Sequence, residues 1–185
     1  MRVTPTDLPG VLIIEPAVHH DGRGFFAETA RADRLAEAGV RETWVQDNHS
    51  RSARGVLRGL HFQTSPGQAK LVRCARGRIL DVVVDLRRGS PTHGRWLSAE
   101  LDDRTLRSVY IPVGFAHGFV VLSEEADVVY RCSSYYDPAT EAGIAWDDPD
   151  VAVAWPPMPV TVSERDRAAP LLRDVAGDLP FTYGG

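Results

Sequence analysis

Residues 55–77 read GVLRGLHFQTSPGQAKLVRCARG, and residues 111–119 read IPVGFAHGF. The tail of the first stretch, KLVRCAR (70–76), alternates in polarity and stops at Gly77, as a half-buried strand does before a turn. The same pattern continues outward. ILDVVVDL (79–86) is β-branched and is broken by RRGSP, and RWLSAEL (95–101) ends at Asp102 and Asp103. SVYIP (108–112) precedes Gly114, HGFVVL (117–122) ends at Ser123 and Glu124, and DVVYRCSSYY (127–136) ends at Asp137 and Pro138. Six short runs at roughly regular spacing predict an all-β sandwich or barrel, not alternating βαβ units.

Helical signal is confined to two places. ADRLAEAG (32–39) combines good helix formers with a terminal glycine, which suits a left-handed cap. In SERDRAAPLL, Ser163 is followed three residues later by Asp166, a capping-box pattern that Pro170 cuts short. These are short peripheral helices on a β core. We find no internal repeat and no low-complexity linker, so residues 1–185 are expected to form one domain, with a C-terminal appendage from about residue 155.

Composition sets the outer bounds. The 185 residues are 43% apolar and 25% charged, ordinary for a soluble domain with a real core. The net charge of −4 supplies no general field for nucleic acid. The start, MRVTPTDLPGVLIIEPAV, has only the short apolar run VLII, so no signal peptide or membrane span is expected. Cys74 and Cys132 are expected as buried free thiols in a reducing cytoplasm.

The two opening stretches resemble the paired motifs of cupins. Pro112, Gly114 and His117 match the second motif, and Gly77, seven positions after Lys70, matches the end of the first. Gln63 stands where a metal cupin carries its second histidine, and Lys70 where it carries a glutamate. A divalent cation needs imidazoles and carboxylates and is repelled by an ammonium group, so the pattern predicts a barrel pocket without metal. An imidazole titrates near pH ~6.5 and suits general-base work. A fixed lysine charge can stabilise an oxyanion. His61 and Lys70 together therefore suit proton abstraction beside a carbonyl, through an enolate.

Further segments narrow the reading. QDNHS (46–50), VLRGLHFQ (56–63), AKLVRC (69–74), DVVVDLRRGSPT (81–92), IPVGFAHGF and YRCSSYYDP (130–138) resemble the dTDP-4-dehydrorhamnose 3,5-epimerase family. DGRGFFAE (21–28), WDDP (146–149) and SERD (163–166) match as well, so the resemblance runs from about Val11 to Leu171. It implies a cupin-type double-stranded β-helix (jelly roll), a cofactor-independent isomerase and a homodimer that exchanges a segment. The implied substrate is a dTDP-linked 4-keto-6-deoxy sugar, inverted at C3 and C5.

Carried over by position, His61 is the base, Asp166 its partner, Tyr130 the acid on the opposite face and Lys70 the enolate-stabilising cation. Arg58 and His117 complete the pocket around sugar and phosphates. Arg23, Phe26 and Glu28 fall in the exchanged nucleotide-binding segment, and Gln46 and Asn48 near base and sugar. Tyr136 is expected to pack or stack on the ligand, and Arg165 to meet phosphate where many members carry lysine. Lys70 follows His61 by nine positions, one fewer than the family pattern.

Taken alone, each residue has a plainer reading. His61 suits a core histidine, Lys70 a strand-edge charge, Tyr130 sheet packing, Asp166 a helix cap and Arg58 a surface ion pair. His19, His20, His49 and His93 lack the motif context and are expected in loops or on the surface. Three other functions fit parts of the pattern: an epimerase acting at one carbon of a related dTDP- or CDP-sugar, a non-catalytic sugar-nucleotide-binding cupin, and a metal cupin.

Overall fold

The computed structural model describes residues 1–184. In chain order the elements are β1 (Arg2–Pro5), β2 (Leu12–Glu15), β3 (Val18–Asp21), β4 (Gly24–Ala27), α1 (Ala32–Glu37), β5 (Gln46–Ala53), β6 (Leu57–Gln63), β7 (Lys70–Arg76) and β8 (Arg78–Asp85). There follow β9 (Trp96–Asp102), β10 (Ser108–Ile111), β11 (Phe115–Val121), β12 (Glu125–Cys132), β13 (Glu141–Gly143), α2 (Glu164–Arg167) and α3 (Leu172–Val175). Six strands in the order β1-β2-β10-β7-β12-β5 face five in the order β13-β6-β11-β8-β9. All ladders between these strands are antiparallel. This is the jelly-roll barrel that the strand pattern and the motifs imply.

Between the sheets lies a core of Val72, Cys74 and Val128 from one side and Ile79, Val83, Phe119 and Val121 from the other. The central strands β8 and β11 of the five-stranded sheet are buried on both faces, which explains why β8 reads as a continuous apolar run instead of an alternating one. Its outer face carries Leu60, Phe62, Val82 and Val84, and the chain from Trp155 onward lies over them. Leu172, Leu179 and Phe181 are buried there, with Phe181 edge-on to Phe62 at 5.9 Å between ring centres. Full burial of such a side chain stabilises by about 1.5–3 kcal/mol. This covering segment also carries α2, and with it Asp166, to the rim of the barrel. The outer face of the six-stranded sheet is covered only in part, by α1 and its flank around Leu35 and Val40.

β3 and β4 form a separate two-stranded hairpin. It projects Phe25 and Phe26, 57% and 71% exposed. Cys74 and Cys132 are buried free thiols.

Candidate active site

The site is built on an approach of two glycines. A Cβ placed on Gly59 would lie 2.5 Å from Gly118 Cα, and one on Gly118 would lie 2.6 Å from the Arg58 carbonyl oxygen. Only glycines let β6 and β11 come this close. Gly59 also has φ +133°, a conformation that side chains rarely allow. The ladder pairs His117 with His61 and Phe119 with Arg58, so β6 covers three residues where β11 covers two. This bulge re-aims the local backbone. The Gly59 N–H donates to Asp166 Oδ2 at 3.3 Å, and His61 and His117 stand side by side.

Asp166 sits in α2, whose N-cap is Ser163. The Asp166 N–H donates to Ser163 Oγ at 3.1 Å, so the cap read from the sequence also sets the height of the carboxylate. His61 Nε2 lies 2.7 Å from Asp166 Oδ1. A carboxylate only accepts, so Nε2 carries the proton and Nδ1 keeps a lone pair free to act as base. Burial pushes the Asp166 pKa up, but the contacts with His61, the Gly59 N–H and Ser163 outweigh it and hold the carboxyl below its ordinary value.

The facing sheet supplies the remaining chemistry. Lys70 opens β7 opposite Cys132, and Tyr130 on β12 pairs with Val72. Lys70 is only 9% exposed. Burial pushes its amine below the ordinary lysine range, against the opposing pull of Cys132, Glu141 and Asp81. Burial likewise pushes the Tyr130 phenol up, helped by Cys132 and Glu141 and opposed by Arg58. His61, Lys70, His117, Tyr130 and Asp166 line one cavity of about 530 Å³. The nine-position spacing thus brings Lys70 to the same cavity as His61.

The other expected residues divide into two groups. Arg58 and Arg165 line the same cavity. Arg58 Nε donates to Ser52 Oγ at 3.1 Å. Gln46, Asn48 and Tyr136 line an adjoining cavity of about 210 Å³ that shares His61, Lys70 and Tyr130 with the first. Gln46 Oε1 accepts the Tyr136 N–H at 2.8 Å and so ties the two segments. Arg23, Phe26 and Glu28 are not among the residues lining either cavity. Arg23 and Phe26 belong to the projecting hairpin, and Glu28 follows it.

Two residues escaped the sequence reading. Asp81 lies fully buried on β8, and its Oδ2 is 2.8 Å from His117 Nε2. A carboxylate inside the apolar run ILDVVVD was the available signal. Glu141 accepts from both Tyr136 and Arg165 at the cavity edge, and nothing in its local sequence marks it. At the metal-ligand position, the Gln63 amide donates to Thr140 Oγ1 at 3.1 Å and accepts from Gln68 at 3.1 Å.

A jelly-roll barrel with a carboxylate-held imidazole facing a buried lysine and a tyrosine defines a class: cupin-fold carbohydrate epimerases. The sequence profile of dTDP-4-dehydrorhamnose 3,5-epimerase matches residues 5–174, and the chain belongs to that family. It is 49% identical over 176 residues to the dTDP-4-dehydrorhamnose 3,5-epimerase of Methanothermobacter thermautotrophicus, covering 94% of this chain and 95% of that protein. It is 48% identical over 187 residues to a dTDP-4-dehydrorhamnose 3-epimerase of Streptomyces niveus, covering 99% and 90%. Among solved structures, the Legionella pneumophila dTDP-6-deoxy-D-glucose-3,5-epimerase in complex with dTDP-4-keto-L-rhamnose superposes with a TM-score of 0.96. That pair is 44% identical, over 100% of this chain and 99% of the other.

Proposed function

We propose that this enzyme converts dTDP-4-dehydro-6-deoxy-D-glucose to dTDP-4-dehydro-L-rhamnose by inverting C3 and C5. The observation that carries the reading is the His61–Asp166 pair facing Lys70 and Tyr130 across one cavity. In each half-reaction His61 Nδ1 takes the proton from the carbon beside the C4 ketone. The C–H electron pair moves to the C4 oxygen, where the Lys70 ammonium stabilises the enolate. Tyr130 then delivers its phenolic proton to the opposite face of that carbon, and exchange with solvent restores both side chains. A positioned base contributes typically ~10²–10⁴-fold, and a preorganised donor at the oxyanion about 3–4 kcal/mol more. No cofactor takes part in this scheme.

Arg58 and His117 fit the sugar and phosphates, Gln46 and Asn48 the sugar edge, and Tyr136 and Arg165 the nucleotide side. Arg23, Phe26 and Glu28 meet the substrate in this reading only if the β3–β4 hairpin reaches a second copy. The exposure of Phe25 and Phe26 supports such an exchange in a homodimer. A monomer in sedimentation that is fully active would refute it. No helix among the described residues is long and apolar enough to cross a membrane, and we assign the enzyme to the cytoplasm.

The similarity to a 3-epimerase favours one competing reading, inversion at C3 alone. NMR of the product formed from dTDP-4-keto-6-deoxyglucose in heavy water separates the two. Deuterium at both C3 and C5 with the L-configured product supports the first reading, and deuterium and inversion at C3 only would establish the second.

A further inference from the structure

Glu141 lies outside the catalytic set, yet it is the most connected carboxylate at the cavity edge. It stands on β13, the edge strand that pairs with β6 along Gln63, Phe62 and His61. Its Oε2 accepts the Tyr136 hydroxyl at 2.9 Å and also an Arg165 N–H, while Oε1 accepts Arg165 Nη2 at 3.1 Å. One carboxylate thus gathers three segments: the loop after β12, β13 and α2. Arg165 directly precedes Asp166, and its Nε is already 3.7 Å from Asp166 Oδ1, the oxygen that holds His61. A guanidinium prefers a two-pronged carboxylate partner. Two carboxylates therefore compete for Arg165, and Glu141 holds the fork.

We propose that Glu141 is a positioning residue for the epimerase reaction: it takes the Nη1 and Nη2 prongs of Arg165, so that only Nε nears Asp166 and the short contact of Asp166 Oδ1 stays with His61, and it fixes Tyr136 at the cavity edge. The inference rests on the reading of His61 as base. With Glu141 neutralised, Arg165 turns to Asp166 and the imidazole loses both its undivided carboxylate and a nearby negative charge. The charged and titratable groups around His61 are Asp166 and Arg165 on α2, Glu141 on β13, Lys70 on β7, Tyr130 on β12, Arg58 on β6 and the His117–Asp81 pair. The change rearranges the Glu141–Arg165 fork and, through it, the Arg165–Asp166 contact, and Tyr136 loses its carboxylate acceptor.

The test is a double-mutant cycle read by solvent deuterium exchange into dTDP-4-keto-6-deoxyglucose across pH. Glu141→Gln is expected to lower kcat/KM roughly tenfold and to move the acid limb of its pH profile to lower pH, because a positive charge now disfavours imidazolium. In an Arg165→Met background the same change is expected to cost less than about twofold and to move the acid limb less, since only the Glu141 charge is then lost. Equal losses in both backgrounds, or an acid limb that stays in place in Glu141→Gln, would overturn the proposal. Glu141→Asp keeps the charge, and recovery of the wild-type limb by it separates the electrostatic effect from misfolding. If His61→Asn instead retains exchange, the base assignment itself fails, whatever Glu141 does.

Discussion

Gly59 and Gly118 face each other across β6 and β11 so closely that a Cβ on Gly59 would sit 2.5 Å from Gly118 Cα. This contact sets the bulge that places His61 beside His117 and aims the Gly59 N–H at Asp166. Gly118→Ala is therefore expected to destabilise the fold by about 1–3 kcal/mol, the cost of forcing atoms into a packed core. Activity should suffer more, by roughly 10²-fold, because displacements near 1 Å at a catalytic group have that effect. Thermal unfolding and steady-state rates on the same sample check both. Wild-type kcat with a lowered Tm would show that the contact is structural only.

Asp166 fixes both the tautomer and the orientation of His61. Asp166→Asn keeps the shape but presents an amide that can donate where the carboxylate only accepts. Loss of kcat on the order of 10³–10⁴-fold is expected, as when an orienting carboxylate is removed from an imidazole base. Single-turnover exchange in heavy water measures the step directly, and a variant within tenfold of wild type would remove Asp166 from the mechanism.

Tyr130 and His61 enter one cavity from opposite sheets, so in the proposed mechanism abstraction and inversion are separable. Tyr130→Phe should still wash deuterium into the substrate, since His61 can return the proton to the face it came from. Inverted product should fall by at least about 10²-fold, the lower range for a general acid. Equal loss of exchange and inversion in the NMR time course would contradict the assignment of Tyr130 as the opposing acid.

The barrel was legible because its central strands combine β-branched runs with Gly, Pro and Asp breaks. KLVRCAR coincides with β7, and the Ser163 cap with the start of α2. The N-terminal strands are short, mixed in polarity and paired with distant partners, β2 with β10 for example. Their pattern becomes readable only once the sheet exists. The apolar side chains of the C-terminal stretch are spaced irregularly because they follow the outer face of a sheet and not a helix period. The candidate site residues were reached through motifs that resemble a known family. Asp81 is marked only as a carboxylate inside an apolar run; its partner His117 lies 36 residues away, and the Arg165 partner of Glu141 lies 24 away, pairings that only the folded chain makes.

Acid should destabilise the protein through its buried aspartates. Asp85 accepts from Ser90, Thr92 and both the backbone and the guanidinium of Arg87. Burial raises its pKa, but the bonds from Arg87, Ser90 and Thr92 outweigh that and hold it below the unfolded value of 3.8. A carboxyl with a depressed folded pKa stabilises fully above the unfolded value, and that contribution is lost as pH falls through the folded one. Tm should accordingly hold from neutral pH down to about pH 5 and drop steeply below about pH 4. Asp85→Asn should cost roughly 3 kcal/mol at pH 7 and flatten the acid limb. Parallel Tm curves for the two proteins would rule Asp85 out as the source.

Lys70 contributes a cost where Asp85 contributes a gain, because burial disfavours its charged form and lowers its folded pKa below the unfolded 10.5. The unfolded chain then binds the extra proton between the two values. The cost of burying the ammonium is fully present below the folded pKa and is relieved as pH rises from there toward 10.5. In the proposed mechanism this cost is retained because the enolate needs a cation that water does not screen. Lys70→Met replaces the charge with an unbranched apolar chain of similar length. It should stabilise the protein at neutral pH by on the order of 1–2 kcal/mol, a rise in Tm of about 2–6 °C, while activity falls by about 10²–10³-fold. The gain should shrink as the pH of the melt approaches 10.5. A variant that is less stable than wild type at pH 7, or that keeps its rate, would show that the amine is either held by the fold or idle in the reaction.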